Sequence, residues 1–300
     1  IAVRKFGNST GDVPEMLYSI ASSPGVLDYD QDGFADLIYI GDLGGNIWKW
    51  VVRKRGKANP TSSELYQANW SFRKFFTDDP TRAASGVHTR SFFYAPSATI
   101  VNSILYLGLG TGERADLNCS STLRGCNLLN RFYVIRDRDI WDLASPTVID
   151  GRDYPTGQLT NVTADENKCP TVQRNGFSFS VADGEKFVTN SEVFNAFFFV
   201  STFKPDLSNV CQPSGTSTLY GFLAKCGQGF FGPPSAVSPI AGTDRSMDMG
   251  KGMPTDARLS IAPGDGGNRL IISKQDGQLI NIDSGNADSE HGTLYWRELD

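Results

Sequence analysis

The sequence predicts an all-β protein, and three observations predict it. Alternation of apolar and polar residues, rich in aromatic and β-branched types, recurs along the chain. No long stretch carries the 3.6-residue period of an amphipathic helix. One motif returns four times: an apolar strand ending in small residues, a turn, and a second strand of alternating aromatics and aliphatics. It is written as ADLIYIGDLGGNIWKWV (35–51), as NSILYLGLGTGE (102–113) followed by NRFYVIRD (130–137), as AFFFVSTF (196–203) followed by STLYGFLA (217–224), and as NRLIISKQDGQLINID (268–283).

The turns of these hairpins are explicit in the sequence. Gly44-Gly45-Asn46 and Asp276-Gly277 supply residues that tolerate positive φ at a corner. Hairpins recurring about every 70 to 90 residues, with strands and long loops between them, suggest propeller blades. The expected architecture is therefore a modified β-propeller spanning residues 1–300 as one domain, with about four blade-like hairpins in this chain. Because the chain opens in mid-blade, the ring is expected to be incomplete and to be closed by an N-terminal region or a partner chain. A β-sandwich is the alternative, and would show strands at a more even spacing of about 8 to 12 residues. The polar, glycine-rich segment SPIAGTDRSMDMGKGMPTDARLS (238–260) reads as a long exposed loop before the last hairpin.

A formal charge of −5 over 300 residues, with basic residues scattered rather than striped, argues against a nucleic-acid partner. No apolar run approaches the roughly 20 residues of a membrane span, and the longest, VFNAFFFVSTF, suits a buried strand. The chain begins with Ile1, and IAVRKFGNST lacks the layout of a signal peptide, so it reads as a processed product or excised fragment. Five cysteines without CxxC spacing favour disulfides and an oxidising compartment over a zinc site. Cys119 with Cys126 is the preferred bridge. Cys211 with Cys226, or Cys169 with either, remain open.

The most informative stretch is GVLDYDQDGFADLIYIGDLGGNIWKWV (25–51). Asp28, Asp30, Asp32, Gly33 and Asp36 form D-x-D-x-D-G-x-x-D, the first nine positions of the EF-hand loop pattern. Alternate side chains of such a loop converge on one cation, and the glycine permits its sharp turn. Four carboxylates packed this tightly repel one another unless protonated or bridged by a cation. Hard oxygen ligands in flexible geometry select Ca2+. Asp28, Asp30, Asp32 and Asp36 are the expected side-chain ligands, and Phe34 supplies its backbone carbonyl at the seventh position. The twelfth position holds Tyr39 instead of Glu, and a strand follows instead of a helix. This loop therefore clamps rather than opens a helix pair, with Asp36 as its closing ligand and Tyr29 and Gln31 turned outward.

Other chemistry is thin. GLGTGE (108–113) lacks the Lys and the strand-to-helix context of a phosphate loop, and reads as a blade corner. His88 and His291 lack a nucleophile arrangement. RDRD (136–139) and DGRDY (150–154) read as solvated charge clusters at strand ends. No catalytic set emerges, so the chain is expected not to be an enzyme.

On these residues the chain resembles the C-terminal part of the PilY1/PilC proteins of type IV pili. The resemblance is carried by SSPGVLDYDQDGFADLIYIGDLGGNIWKW, by GTGE after a strand, by RFYVIRD, by GFSFSV through GEKFVTNSEVFNAFFFVSTFKP to CQPSGTSTLYGF, and by the closing GTLYWREL, in family order. It implies a modified β-propeller at the pilus tip or outer cell surface, with Ca2+ held in one blade. It also implies roles in pilus assembly, in extension versus retraction and in surface adhesion. The implied partners are minor pilins, an N-terminal region of the same family, and a host or surface ligand. The rival readings are an integrin-like or other cell-surface binding propeller with a structural calcium site, and a propeller enzyme.

Overall fold

In the computed structural model, the described residues are 7, 12–52, 71–85, 90–114, 117, 128–141, 147–164, 169, 171, 175–206, 208, 214–232, 244–260 and 268–285. They form four sheets that follow one another along the chain. The first is an antiparallel meander of β1 (Gly25–Leu27), β2 (Leu37–Gly41), β3 (Asn46–Val51) and β4 (Ser71–Thr77). The short helix α1 (Pro80–Ser85) follows β4. The second meander runs β5 (Ser97–Val101), β6 (Ile104–Gly110), β7 (Arg131–Asp137) and β10 (Gly176–Ser180). Two short strands flank these sheets in parallel: β8 (Ile149–Asp150) on β4, and β9 (Thr160–Asn161) on β10.

In the third sheet, β11 (Lys186–Phe187) and β12 (Glu192–Phe194) both pair with β13 (Phe197–Asp206), which is followed by β14 (Ser214–Leu223) and β15 (Ser246–Lys251). The fourth sheet is β16 (Arg258–Ser260), β17 (Asn268–Ser273) and β18 (Leu279–Gly285). All four hairpins read from the sequence are present, as β2–β3, β6–β7, β13–β14 and β17–β18. The all-β class and the blade-like repetition hold. Helix is confined, among the described residues, to α1, where Asp79 Oδ1 accepts from the N–H groups of Thr81 and Arg82 at the cap and Pro80 occupies the first turn.

The sheets stack through apolar layers, which explains why their middle strands are apolar without interruption. In β7, Tyr133 and Ile135 enter the layer between sheets one and two, whereas Phe132 and Val134 enter the layer between sheets two and three. In β13, Phe198 and Val200 face sheet two, and Phe197 and Phe199 face sheet four. Side chains alternate across a strand, so a strand covered on both sides is apolar at every position. Glycine sets the closeness of one layer: a Cβ on Gly108 would sit 2.3 Å from the Phe198 ring, and one on Gly110 would sit 2.5 Å from Phe187 Cβ. The GLGTGE segment is thus the end of β6 and its corner, built for packing against the next sheet.

Several expectations need correction. Segment 238–260 contains β15 and β16 rather than one long loop; as the edge of its sheet, β15 needs few apolar residues, and Met249 alone enters the core among its deeply buried side chains. RDRD and DGRDY are not simply solvated. Asp137 is buried against Lys49, and Asp153 receives two hydrogen bonds from Arg131 at 3.0 and 2.8 Å. The described disulfide joins Cys169 to Cys226, one of the pairings that the sequence left open. Cys119, Cys126, Cys211, His88 and His291 lie outside the described residues.

Candidate metal centre

The aspartate loop is the connection between β1 and β2. Its frame begins with two backbone hydrogen bonds: Asp36 N–H donates to the Leu27 carbonyl, and Val52 N–H donates to the Asp36 carbonyl, each at 2.8 Å. These fix Asp36 at the start of β2, with 1% of its surface exposed. Its Oδ2 then accepts from Tyr29 N–H at 2.8 Å and from Asp30 N–H at 3.3 Å. Asp28 reaches the other way, accepting from Asp32 N–H at 3.2 Å and from Gly33 N–H at 2.8 Å. Gln31 (φ 59°) and Gly33 (φ 90°) turn the chain through the left-handed region, and the glycine does so without a Cβ penalty.

This folding brings together Asp28, Asp30 and Asp36, with one carboxylate oxygen of each lying within 4.8 Å of the other two. Calcium binds oxygen at about 2.3–2.6 Å, so oxygens on opposite sides of one ion stand about 5 Å apart. The all-carboxylate set and its spacing therefore fit Ca2+. Asp32 stands outside this trio, and its Oδ1 accepts from Phe34 N–H at 3.0 Å. Phe34 is 58% exposed. Gln31 is exposed, as its outward position requires. Tyr29 is not turned to solvent: its ring meets the Trp141 ring edge-on at 5.6 Å, at the margin of the layer between sheets one and two.

Behind the loop lies a polar joint that the sequence reading missed. Tyr39, in the position an EF-hand gives to Glu, donates its hydroxyl to Asp137 Oδ2 at 2.5 Å. Lys49, directly opposite Tyr39 in the ladder, places Nζ 2.7 Å from the same oxygen and 2.8 Å from the Asp139 carbonyl. A second link joins the same two sheets: Arg90 pairs with Asp78 at 3.0 Å, and the Tyr133 hydroxyl donates to Asp78. Burial and the neighbouring Asp78 carboxylate push the Tyr133 phenol well above its usual range. Lys49 did leave a signal, because the alternation of β3 puts it on the same face as Ile47 and Val51.

The hairpin corner forms its own unit. Asp42, fully buried, accepts from the N–H groups of Gly44 and Asn46, from the Asn46 side chain, and from Trp48 Nε1 at 2.9 Å. Burial raises its carboxyl above the ordinary value, against the opposing pull of these donors. Gly41-Asp42 and Gly45-Asn46-Ile47-Trp48 are thus two halves of one hydrogen-bonded corner.

A cleft of about 480 Å³ opens where β1, β5, β12 and β16 of the four sheets meet, lined among others by Val26, Pro96, Glu192 and Arg258. Asn190 ties three of its sides: its Oδ1 accepts from Ala95 N–H at 2.9 Å, and its backbone and side-chain N–H groups donate to Asp256 at 3.0 and 2.8 Å. Ser97 and Ser191 join their hydroxyls at 2.5 Å beside the Gly108 carbonyl.

Comparison with known proteins places this architecture. Residues 9–121, which include the aspartate loop, match the PilY1 beta-propeller domain. A type IV pilus biogenesis factor PilY1 homolog of Xylella fastidiosa (strain Temecula1) is 25% identical over 246 residues, covering 72% of this chain and 15% of that protein. The crystal structure of the Pseudomonas aeruginosa PilY1 C-terminal domain superposes with a TM-score of 0.57 at 16% identity, over 88% of this chain and 61% of that one. The chain thus spans less than two thirds of either protein. The chain is similar in sequence to a PilY1 homolog and, over residues 9–121, to the PilY1 beta-propeller domain, and similar in fold to the PilY1 C-terminal domain.

Proposed function

We propose that the chain is a calcium-binding, non-enzymatic part of a type IV pilus biogenesis protein, acting at the pilus tip or cell surface. Likeness to a PilY1 homolog supports the pilus assignment. The observation that carries the calcium reading is the convergence of Asp28, Asp30 and Asp36 at ligand spacing within a D-x-D-x-D-G-x-x-D loop. In this reading those three carboxylates hold the ion, Asp32 and the Phe34 carbonyl complete its shell, and bound calcium neutralises the loop and fixes it against the β2–β3 hairpin. Without the ion, repulsion among the carboxylates loosens the loop. Its contribution to pilus assembly, extension versus retraction and surface adhesion then depends on calcium. Minor pilins, the remaining blades of the propeller and a surface ligand are the partners it serves.

Isothermal titration calorimetry with CaCl2 tests the site. The parent protein is expected to give a binding heat that Asp28→Ala and Asp36→Ala abolish. Unchanged heats in both variants would overturn the assignment.

A further inference from the structure

We propose that calcium in the aspartate loop sets one wall of the cleft at which the four sheets meet, so that the cleft is shaped by calcium occupancy. The inference rests on the calcium reading above and extends it from the loop to a second region of the molecule.

The chain itself connects the two. Residues 23–27 line the cleft, and the loop begins at Asp28, the next residue. The wall strand β1 is three residues long and, among the described residues, pairs with β2 alone, through Gly25↔Tyr39, Val26↔Ile38 and Leu27↔Leu37. At its end the Leu27 carbonyl accepts from Asp36 N–H, so a proposed calcium ligand is hydrogen-bonded to the wall by its own backbone. A three-residue edge strand has little pairing of its own, and the order of the turn that follows it decides how firmly it is held.

The other walls are fastened differently. The Asn190 and Asp256 hydrogen bonds and the Ser97–Ser191 contact join sheets two, three and four through side chains, with no aspartate of the loop taking part. Sheet one meets sheet two at the cleft by close packing: a Cβ on Gly25 would lie 2.6 Å from the Pro96 carbonyl oxygen. Movement of β1 therefore changes its seat on Pro96 and the width of the cleft. Calcium binding, which draws Asp28 and Asp36 towards one ion, fixes both ends of the loop and with them the end of β1.

Hydrogen–deuterium exchange with mass spectrometry tests this, with calorimetry alongside it. On adding calcium, peptides covering 22–27 and 94–98 are expected to slow by about tenfold, together with the loop, while peptides covering 190–194 stay unchanged. Asp36→Asn should lose the response. Because Asp36 is buried, Asp30→Asn, at an exposed ligand, serves as a second variant with the same expected loss. Calcium heat with protection confined to 28–36 would overturn the coupling and leave the metal site standing. No calcium heat in the parent protein would overturn the site, and the coupling with it.

Discussion

The joint between sheets one and two and the joint between sheets two and three solve the same packing problem with different chemistry. Both bury an apolar layer. The first threads charges through it, with Lys49, Asp137 and Tyr39 at one end and Arg90, Asp78 and Tyr133 at the other. The second is mainly rings: Phe132 stacks on Phe222 at 5.2 Å, Phe179 lies 5.0 Å from Phe222, and Phe187 and Phe198 close on Phe132. Hydrophobic packing is non-directional and is fitted by shape, as at Gly108 and Gly110, whereas a buried ion pair is fitted by charge and carries a desolvation penalty. Among the described residues, the joint beside the candidate metal loop is thus the one crossed by buried ion pairs, whereas the second sets the buried Arg245 guanidinium on the Val162 and Gly227 carbonyls.

The sharpest way to break this contrast is to remove one member of each joint. Asp137→Ala strands the Lys49 ammonium in the core and is expected to cost about 3–5 kcal/mol, measured by urea unfolding. Phe198→Ala in the aromatic joint is expected to cost a similar 3–5 kcal/mol, roughly, by opening a cavity. The two separate in the repair. Replacing Lys49 and Asp137 together by Met and Leu should recover most of the loss, because an apolar pair of similar volume needs no desolvation. A double variant as unstable as Asp137→Ala would show that the polar joint is stabilising in its own right.

The disulfide sharpens the comparison from the other side. Cys169–Cys226 closes 57 residues of sequence, and Cys226 lies two positions from Ala224 of the aromatic joint. Its reduction is expected to destabilise the protein by about 2–4 kcal/mol, through the greater freedom of the unfolded chain. Thermal melts with and without reductant check this. Exchange should then rise at sheets two and three before the polar joint.

A smaller effect is expected at Asp42. Its folded carboxyl titrates above the ordinary value of 3.8 because of burial, so the native state holds that proton more tightly than the unfolded chain. Its contribution is therefore fully present below 3.8 and is lost as pH rises through the folded value. Asp42→Asn removes this falling limb. The stability difference between the parent and the variant, followed by denaturant melts from acid to neutral pH, should decline across that window. A flat difference would show that the donors from Trp48, Asn46 and Gly44 fully offset the burial.

Much of this was legible in the sequence because it is local. Strand alternation marked the four hairpins, Gly44-Gly45 and Asp276-Gly277 marked their corners, and the spacing of aspartates marked the loop that gathers Asp28, Asp30 and Asp36. These depend on periodicity, backbone permissiveness and charge density over a few residues, which any reader of the chain can evaluate. The tertiary structure decided the rest. It buried Asp137, 88 residues beyond Lys49 in the chain, in an ion pair where RDRD had looked solvated. It turned Tyr29 onto Trp141, set Asp32 apart from the trio, and joined Cys169 to Cys226. Each of these depends on which sheet lies against which, a non-local choice made by packing, and no short window of sequence contains both partners.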